Sequence, residues 1–497
     1  STGGYNTIVG GLAGDALTTG TGNTAIGYNA LSTEDGGGQN TAIGYQALAT
    51  LDAGANGLNT AVGYNSGYSM TTATSNSLLG DRAGYSITQG AENTFLGAYS
   101  GFGITTGAGN VAIGFQALYA EDTHGTNVAI GYKTLKAQNA GANAYNVAIG
   151  FEAGKEVTTG TQNTIMGGLA GDALTTGMNN IAIGYNALGL EDTGSANVAI
   201  GTHALEDQDA GTAYNVAVGH AAGRNVTTGT QNTLIGGLAG DALTDGNTNV
   251  AVGYQSLGSE TRGDRNVAIG KDALASQNNT SDTDVYNTAV GYAAGGAVTT
   301  GVQNTLIGGL AGDALTTGNY NVALGYAALS TEDGNSANVA IGKSALQNLN
   351  AGADAFNVAV GHEAGVNVTT GTENVLIGAL AGDSLTSGSF NVAIGHGALD
   401  QEDAHGKNVA IGYLALTAQD AGVDAYNVAI GYDTGKAITT GVRNTLIGGG
   451  AGDALTTGGY NTAIGFNALS SEDGDGFNVA VGTYALATLN AGANAYN

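Results

Sequence analysis

An asparagine opens a five-residue phrase that returns about every 17 residues along the whole chain: Asn, usually Val or Thr, a small or aliphatic residue, usually Ile or Val, then Gly. Starts fall at Asn6, Asn23, Asn40, Asn59, Asn76, Asn93, Asn110, Asn127 and Asn146, with steps of 17, 17, 19, 17, 17, 17, 17 and 19. The same rule runs without a gap to Asn478 and reaches Asn497, which makes 28 complete units. Self-similarity at a short fixed period is the signature of a solenoid. One unit cannot bury a face alone, and stacking supplies the missing core.

A second period lies above the first. Four unit types follow one another and recur about every 70 residues: "NTLIGGLAGDALTTGNY" from 304, "NVALGYAALSTEDGNSA" from 321, "NVAIGKSALQNLNAGADAF" from 338 and "NVAVGHEAGVNVTTGTE" from 357. One extra unit starts at Asn76. No linker or change of composition interrupts the order, so residues 1–497 are expected to form a single continuous β-solenoid array.

Each unit reads as one coil. In "NVAIG" the Val and Ile alternate with Ala, as a short strand requires, and the Gly permits a corner with positive φ. The branched pair is expected to fill the coil interior, leaving the Ala to face a neighbouring chain. A second short strand is expected at "ALTTG" or "NVTTG". At a strand spacing of about 4.8 Å, 28 coils predict a stack on the order of 130 Å long. The opening asparagines are expected to form a structural ladder, bonding amide to amide and tolerating the left-handed conformation of a corner.

Composition agrees with an all-β chain. There are 88 glycines and no proline, cysteine or tryptophan, and glycine inside a helix costs about 1 kcal/mol relative to alanine. A formal net charge of −28 repels nucleic acid and anionic lipid over a Debye length of roughly 8 Å. No apolar run reaches the about 18 residues of a membrane span, and no signal-like segment follows Ser1, so a processed product or a cut from something longer is expected. The absence of cysteine excludes disulfides and thiolate metal sites.

The stretch "GGLAGDALTTG" could be a phosphate loop, a calcium turn or a corner. A phosphate loop needs a lysine and then Ser or Thr after its glycines, and "GGLAGDA" has no lysine. The nine-residue calcium-roll pattern places its glycines differently, and Asp15, Asp172, Asp241, Asp313, Asp383 and Asp453 fall at least four coils apart, roughly 19 Å or more at the strand spacing. A corner remains. The Glu-Asp pairs at 34–35, 121–122, 191–192, 332–333, 402–403 and 472–473 come closer to a hard-cation site, but are expected to be solvated acidic turns with at most weak Ca2+ binding.

The six histidines, among them His220 and His362, recur in only some repeats and are read as ordinary surface or corner residues lacking His-x-x-x-His or Glu-x-x-His spacing. Thr316-Thr317 and Thr369-Thr370 suggest an ice-binding face, but only two unit types carry such pairs. Tyr145, Tyr214, Tyr286, Phe356, Tyr426 and Tyr496 close the third unit type and are expected to plug its longer turn. The sequon at Asn225 is expected to be a chance product of composition. No position departs from the array to make a triad or carboxylate pair, so no catalytic, cofactor-binding or metal residue is expected, and the chain is not read as an enzyme. Chelators are expected to leave its shape and melting largely unchanged.

The phrases "NTAIGYNAL" from 23, "NVAIGYKTL" from 127 and "NVAIGTHAL" from 197 resemble the head repeats of YadA-like trimeric autotransporter adhesins and similar arrays in phage tail fibres. The resemblance covers essentially every coil from Asn6. It implies a left-handed parallel β-roll, a homotrimer and display outside a cell or on a virion, with a cell-surface receptor or glycan as partner. The family repeat is nearer 14 residues than 17, and no coiled-coil stalk, neck or anchor is present in this stretch. The expected role is a fibrous structural or adhesive shaft or head. An open-ended secreted filament is the alternative, suggested by the lack of a visible capping coil, and a calcium- or ice-binding solenoid ranks below it.

Overall fold

The computed structural model describes residues 2–490 and 496–497. The longer turn of the last coil, at 491–495, lies outside them. The chain divides into two compact units, Ser1–Thr248 and Asn249–Asn497. The first holds strands β1 (Thr7–Val9) to β14 (Thr233–Ile235) and the second β15 (Val250–Val252) to β28 (Val479–Val481). Each strand is three residues long, and no helix occurs among the described residues. Within each unit every strand pairs in parallel with the strand of the next coil, like position against like: Val322, Ala323 and Leu324 of β19 (Val322–Leu324) face Val339, Ala340 and Ile341 of β20 (Val339–Ile341). The fold is therefore all-β, a parallel β-solenoid of 28 coils built on the 17-residue period.

The faces of the strand are the reverse of the expected ones. Ala323, Ala340 and Ala359 are fully buried, while the flanking Val and Ile stand half-exposed on the outside. A strand of three residues has one inward position and two outward ones. The interior of so small a coil accepts only the middle side chain, because a leucine from the following turn, such as Leu329 or Leu346, already fills it.

Interior volume is conserved between columns. In the coil from 304 the middle residue is Leu306 instead of Ala, and glycines stand at 312 and, one coil earlier, at 295. A Cβ on Gly312 would lie 2.8 Å from Leu306 Cδ2, and one on Gly295 would lie 2.7 Å from its Cδ1. One leucine thus occupies the space left by two glycines, as close packing demands.

Among the described residues the second strand is absent. At 299–301 three successive amides, of Thr299, Thr300 and Gly301, converge on the single carbonyl of Thr316 at 2.8, 3.3 and 3.3 Å. A strand would spread its amides over alternate partners, so this convergence makes a bend with one inter-coil anchor.

The asparagine ladder is present, with different bonds from those expected. Within each unit every Oδ1 accepts the backbone amide of the next asparagine, as from Asn321 to Asn304 at 2.9 Å and from Asn338 to Asn321 at 3.0 Å. Each Nδ2 in the regular coils donates to the carbonyl 14 residues on, as Asn304 to Gly318 at 2.8 Å. Direct amide-to-amide bonds are fewer and longer, such as Asn304 to Asn287 at 3.3 Å. The left-handed corner falls on the residue before the asparagine, for example Tyr320 with φ 61° or Ala337 with φ 60°. The side chain thus satisfies buried backbone groups where the chain turns inward.

Candidate functional site

Two parts of the coil carry chemistry: its outer face and the turn that holds the Glu-Asp pairs. On the outer face, the residue after each corner glycine forms aromatic columns. Tyr28, Tyr45 and Tyr64 stack at 5.4 and 5.2 Å, and Phe115, Tyr132 and Phe151 at 5.6 and 5.3 Å. In the second unit His396, Tyr413 and Tyr432 do the same at 5.6 and 5.2 Å. A separate column joins Tyr68, Tyr85, Phe102 and Tyr119. Ring stacking at these distances follows from the coil spacing and contributes about 0.5–1.5 kcal/mol per pair beyond burial. Tyr145, Tyr214, Tyr286, Phe356, Tyr426 and Tyr496 are exposed, so they do not plug the longer turn. Each sits in the left-handed region, which aims it outward, and Arg265 and Lys407 lie over the rings of Tyr286 and Tyr426.

The acidic turns differ most from expectation. Glu34, Glu121, Glu191, Glu332, Glu402 and Glu472 are fully buried, at the coil position that Leu17, Leu315 and Val368 occupy elsewhere. Only their Asp partners lie at or near the surface. The glutamate caps its own turn: Glu332 accepts the amide of Asn335 at 2.9 Å, and Glu472 that of Asp475 at 3.0 Å. Leucine cannot satisfy that amide, which gives the carboxylate a structural reason to be inside.

Burial holds these carboxyls above their ordinary range. It raises Glu34, Glu191 and Glu332, and pushes Glu121 and Glu402 up to about 7. The neighbouring charges act the same way, Asp52 and Asp35 on Glu34 and Asp333 on Glu332. A carboxyl whose folded-state pKa is raised contributes stability that is present below the unfolded value and is lost as pH rises through the folded one. The thermal midpoint should therefore be higher at pH 5 than at pH 8, each pKa unit of displacement being worth about 1.4 kcal/mol. Glu332→Gln should flatten part of that slope. A midpoint that climbs between pH 5 and pH 8 would contradict the assignment.

The other singled-out residues lie as follows. Asp172, Asp241, Asp313 and Asp453 sit half-buried at their corners, where burial raises their carboxyls. The Thr316 and Thr369 hydroxyls are engaged by the next coil, donating to the carbonyls of Asp333 and Thr386. Their column is interrupted by Asp333 and Asn350. Asn225 is exposed. His220 and His362 stand on the outer face after their corner glycines.

Two histidines are not ordinary. Glu-x-x-His spacing is written twice, at Glu121–His124 and Glu402–His405. The structure brings one ligand atom each of Glu121, Asp122 and His124 within 4.8 Å of one another, and likewise Glu402, Asp403, His405 and Asp420. The unit-by-unit sequence comparison missed this, although aligning the second unit type places His124 and His405 where the other copies carry Gly, Asn or Asp. Oxygen-only groups form at Glu34, Asp35 and Asp52 and at Glu191, Asp192 and Asp209, but their glutamates are satisfied. Glu34 takes the amides of Gly37 and Ala53, and Glu191 those of Gly194 and the Gln208 side chain.

Among the described residues no helix is long and apolar enough to cross a membrane. No protein-family model matches the chain, and no curated protein matches it either.

Proposed function

We propose that this chain is a non-enzymatic structural or adhesive element of an extracellular or virion fibre, assembled as a homotrimer. The observation that supports the reading is the outward row of strand residues. In both units Val, Ile, Leu and Met side chains flank the buried middle residue of the strands, and many are more than a third exposed, among them Leu79, Leu96, Met166, Ile269, Leu324 and Ile377. A repeated apolar row of this kind marks an interaction surface, and parallel copies of one chain present the same row at the same spacing. The acidic turns and aromatic columns would then face solvent or a receptor.

Deleting residues 304–373 removes one set of four unit types, so that Asn374 follows Gln303 with the register intact. Stability in repeat arrays is roughly a sum of unit and nearest-neighbour terms. The shortened chain should fold, associate like the parent and shorten the second unit by about 19 Å at the usual spacing. Removing ten residues inside a coil should not be tolerated, because a slip reverses the faces. Binding to cells across a deletion series separates a spacer, whose affinity stays constant, from a side-binding surface, which loses avidity with each module. Light scattering that finds a stable monomer for the parent chain would overturn the trimer.

A further inference from the structure

Of the seven copies of the buried glutamate, four have both oxygens engaged; Glu121, Glu402 and Glu472 leave at least one without a partner, and the first two of these stand beside a histidine. Glu191 and Glu260 each receive a side-chain amide from the next coil, Gln208 at 3.0 Å and Gln277 at 2.8 Å. Glu34 is bonded to two backbone amides, and Glu332 to the backbone and side chain of Asn335. In the histidine coils the equivalent glutamines turn away: Gln138 donates to the Thr158 carbonyl and Gln419 to that of Thr439, both at 3.1 Å. Neither Glu121 oxygen then has a hydrogen bond of ordinary geometry; Glu402 Oε1 accepts the backbone amide of His405 at 3.2 Å, and its Oε2 has no partner. Both side chains are fully buried. His405 Nδ1 is also unpartnered and lies 3.7 Å from Glu402 Oε1, whereas His124 Nδ1 is hydrogen-bonded to the Thr123 hydroxyl at 2.8 Å and lies 4.0 Å from Glu121 Oε1. Uncompensated buried polar atoms are costly, and at Glu402 and His405 the carboxyl and the imidazole face one another across a gap.

We infer that Glu402, Asp403, His405 and Asp420 form a binding site for a divalent transition-metal ion of the zinc type, with a weaker three-ligand version at Glu121, Asp122 and His124. The donor set is one imidazole with carboxylates, which suits zinc and its neighbours in the first transition row; calcium takes oxygen donors alone. The glutamate comes from inside the coil, the first aspartate and the histidine from the same turn, and Asp420 from the coil above. In the earlier copy the position of Asp420 is Asn139, so one carboxylate is missing and a coordination position is left for water. The histidines are about 28–29% exposed at the side chain, which provides a route in from solvent. A tetrahedral zinc with bonds of about 2.0–2.2 Å draws its ligands to roughly 3.4 Å apart, a contraction of up to about 1.4 Å that side-chain rotation supplies. The inference goes beyond the fibre role and does not depend on it.

The test uses the full chain, stripped with a chelator and titrated with Zn2+ alone by calorimetry, and with Co2+ followed by visible absorption. Two sites per chain are expected, of unequal affinity. His405→Ala should abolish the tighter one and His124→Ala the weaker one. Asn139→Asp, which supplies the missing carboxylate, should tighten the weaker site by about tenfold or more, since even an outer-shell partner is worth about 10–100-fold. That gain does not depend on a damaged variant folding. The intense absorption of low-coordinate Co2+ should fall by about half in each histidine variant. Absence of Zn2+ binding, binding unchanged in both histidine variants, or complete displacement of Zn2+ by millimolar Ca2+ would each overturn the site.

Discussion

Gly342→Ala should open the solenoid at one coil. A Cβ at this position would lie 2.2 Å from the carbonyl oxygen of Gly361 in the next coil and 2.6 Å from its carbon, at a φ of +136° that side chains rarely adopt. The obstructing atoms are backbone, so no rotamer change relieves the clash. The pairing of β20 with β21 (Val358–Val360) must part or tilt. A cost of about 4 kcal/mol or more is expected, at the extreme of single substitutions. Gly352→Ala is the control, because nothing lies within 4 Å of its Cβ and only a left-handed φ of +71° is strained, worth about 1–2 kcal/mol. Hydrogen exchange read by mass spectrometry should show protection lost around 339–360 in the first variant and retained in the second. Equal protection in both would mean that the stack yields where the geometry says it cannot.

Ala340→Asp and Ile341→Asp should separate inside from outside by one residue. Ala340 is fully buried between Ala323 and Ala359, and a carboxylate there has no partner. It must either remain charged in an apolar column or take up a proton, and either outcome should cost several kcal/mol. Ile341 points outward, so its replacement should cost about 1 kcal/mol in folding, the range of strand propensity. If the outer row packs against other copies, Ile341→Asp should instead weaken association. Thermal melts and sedimentation run on both variants give the answer. Ile341→Asp melting as early as Ala340→Asp would contradict the assignment of faces.

How much of this was legible beforehand depends on which residues one asks about. The asparagines announced a ladder, and the ladder is there, but its bonds run to backbone amides and carbonyls that no sequence displays. Gly342 and its equivalents announced a corner, which is what they form. The Val-Ala-Ile phrase announced a strand but left its direction open, and hydrophobicity pointed the wrong way. Ala fits under Leu346 within the coil, and a branched residue there does not. Thr299-Thr300 looked like a second strand because β-branched residues favour strands, yet the convergence of three amides on one carbonyl is a property of the closed coil. Glu402 and His405 were visible as a spacing and went unrecognised, since acidic residues beside glycines normally mean a solvated turn.

The sequence by itself determined the period, the number of coils, their parallel in-register stacking and the four-unit order. Near-identical units can satisfy their backbone groups and bury a common face only by stacking like on like. The tertiary structure alone decided which side of each strand is the inside, which carboxylates are buried and which turn residues meet. Those depend on the cross-section of a closed 17-residue coil. In that narrow space the turn positions are driven inward whatever they carry, so a glutamate occupies a leucine's place and two histidines are brought against carboxylates that retain an unpartnered oxygen.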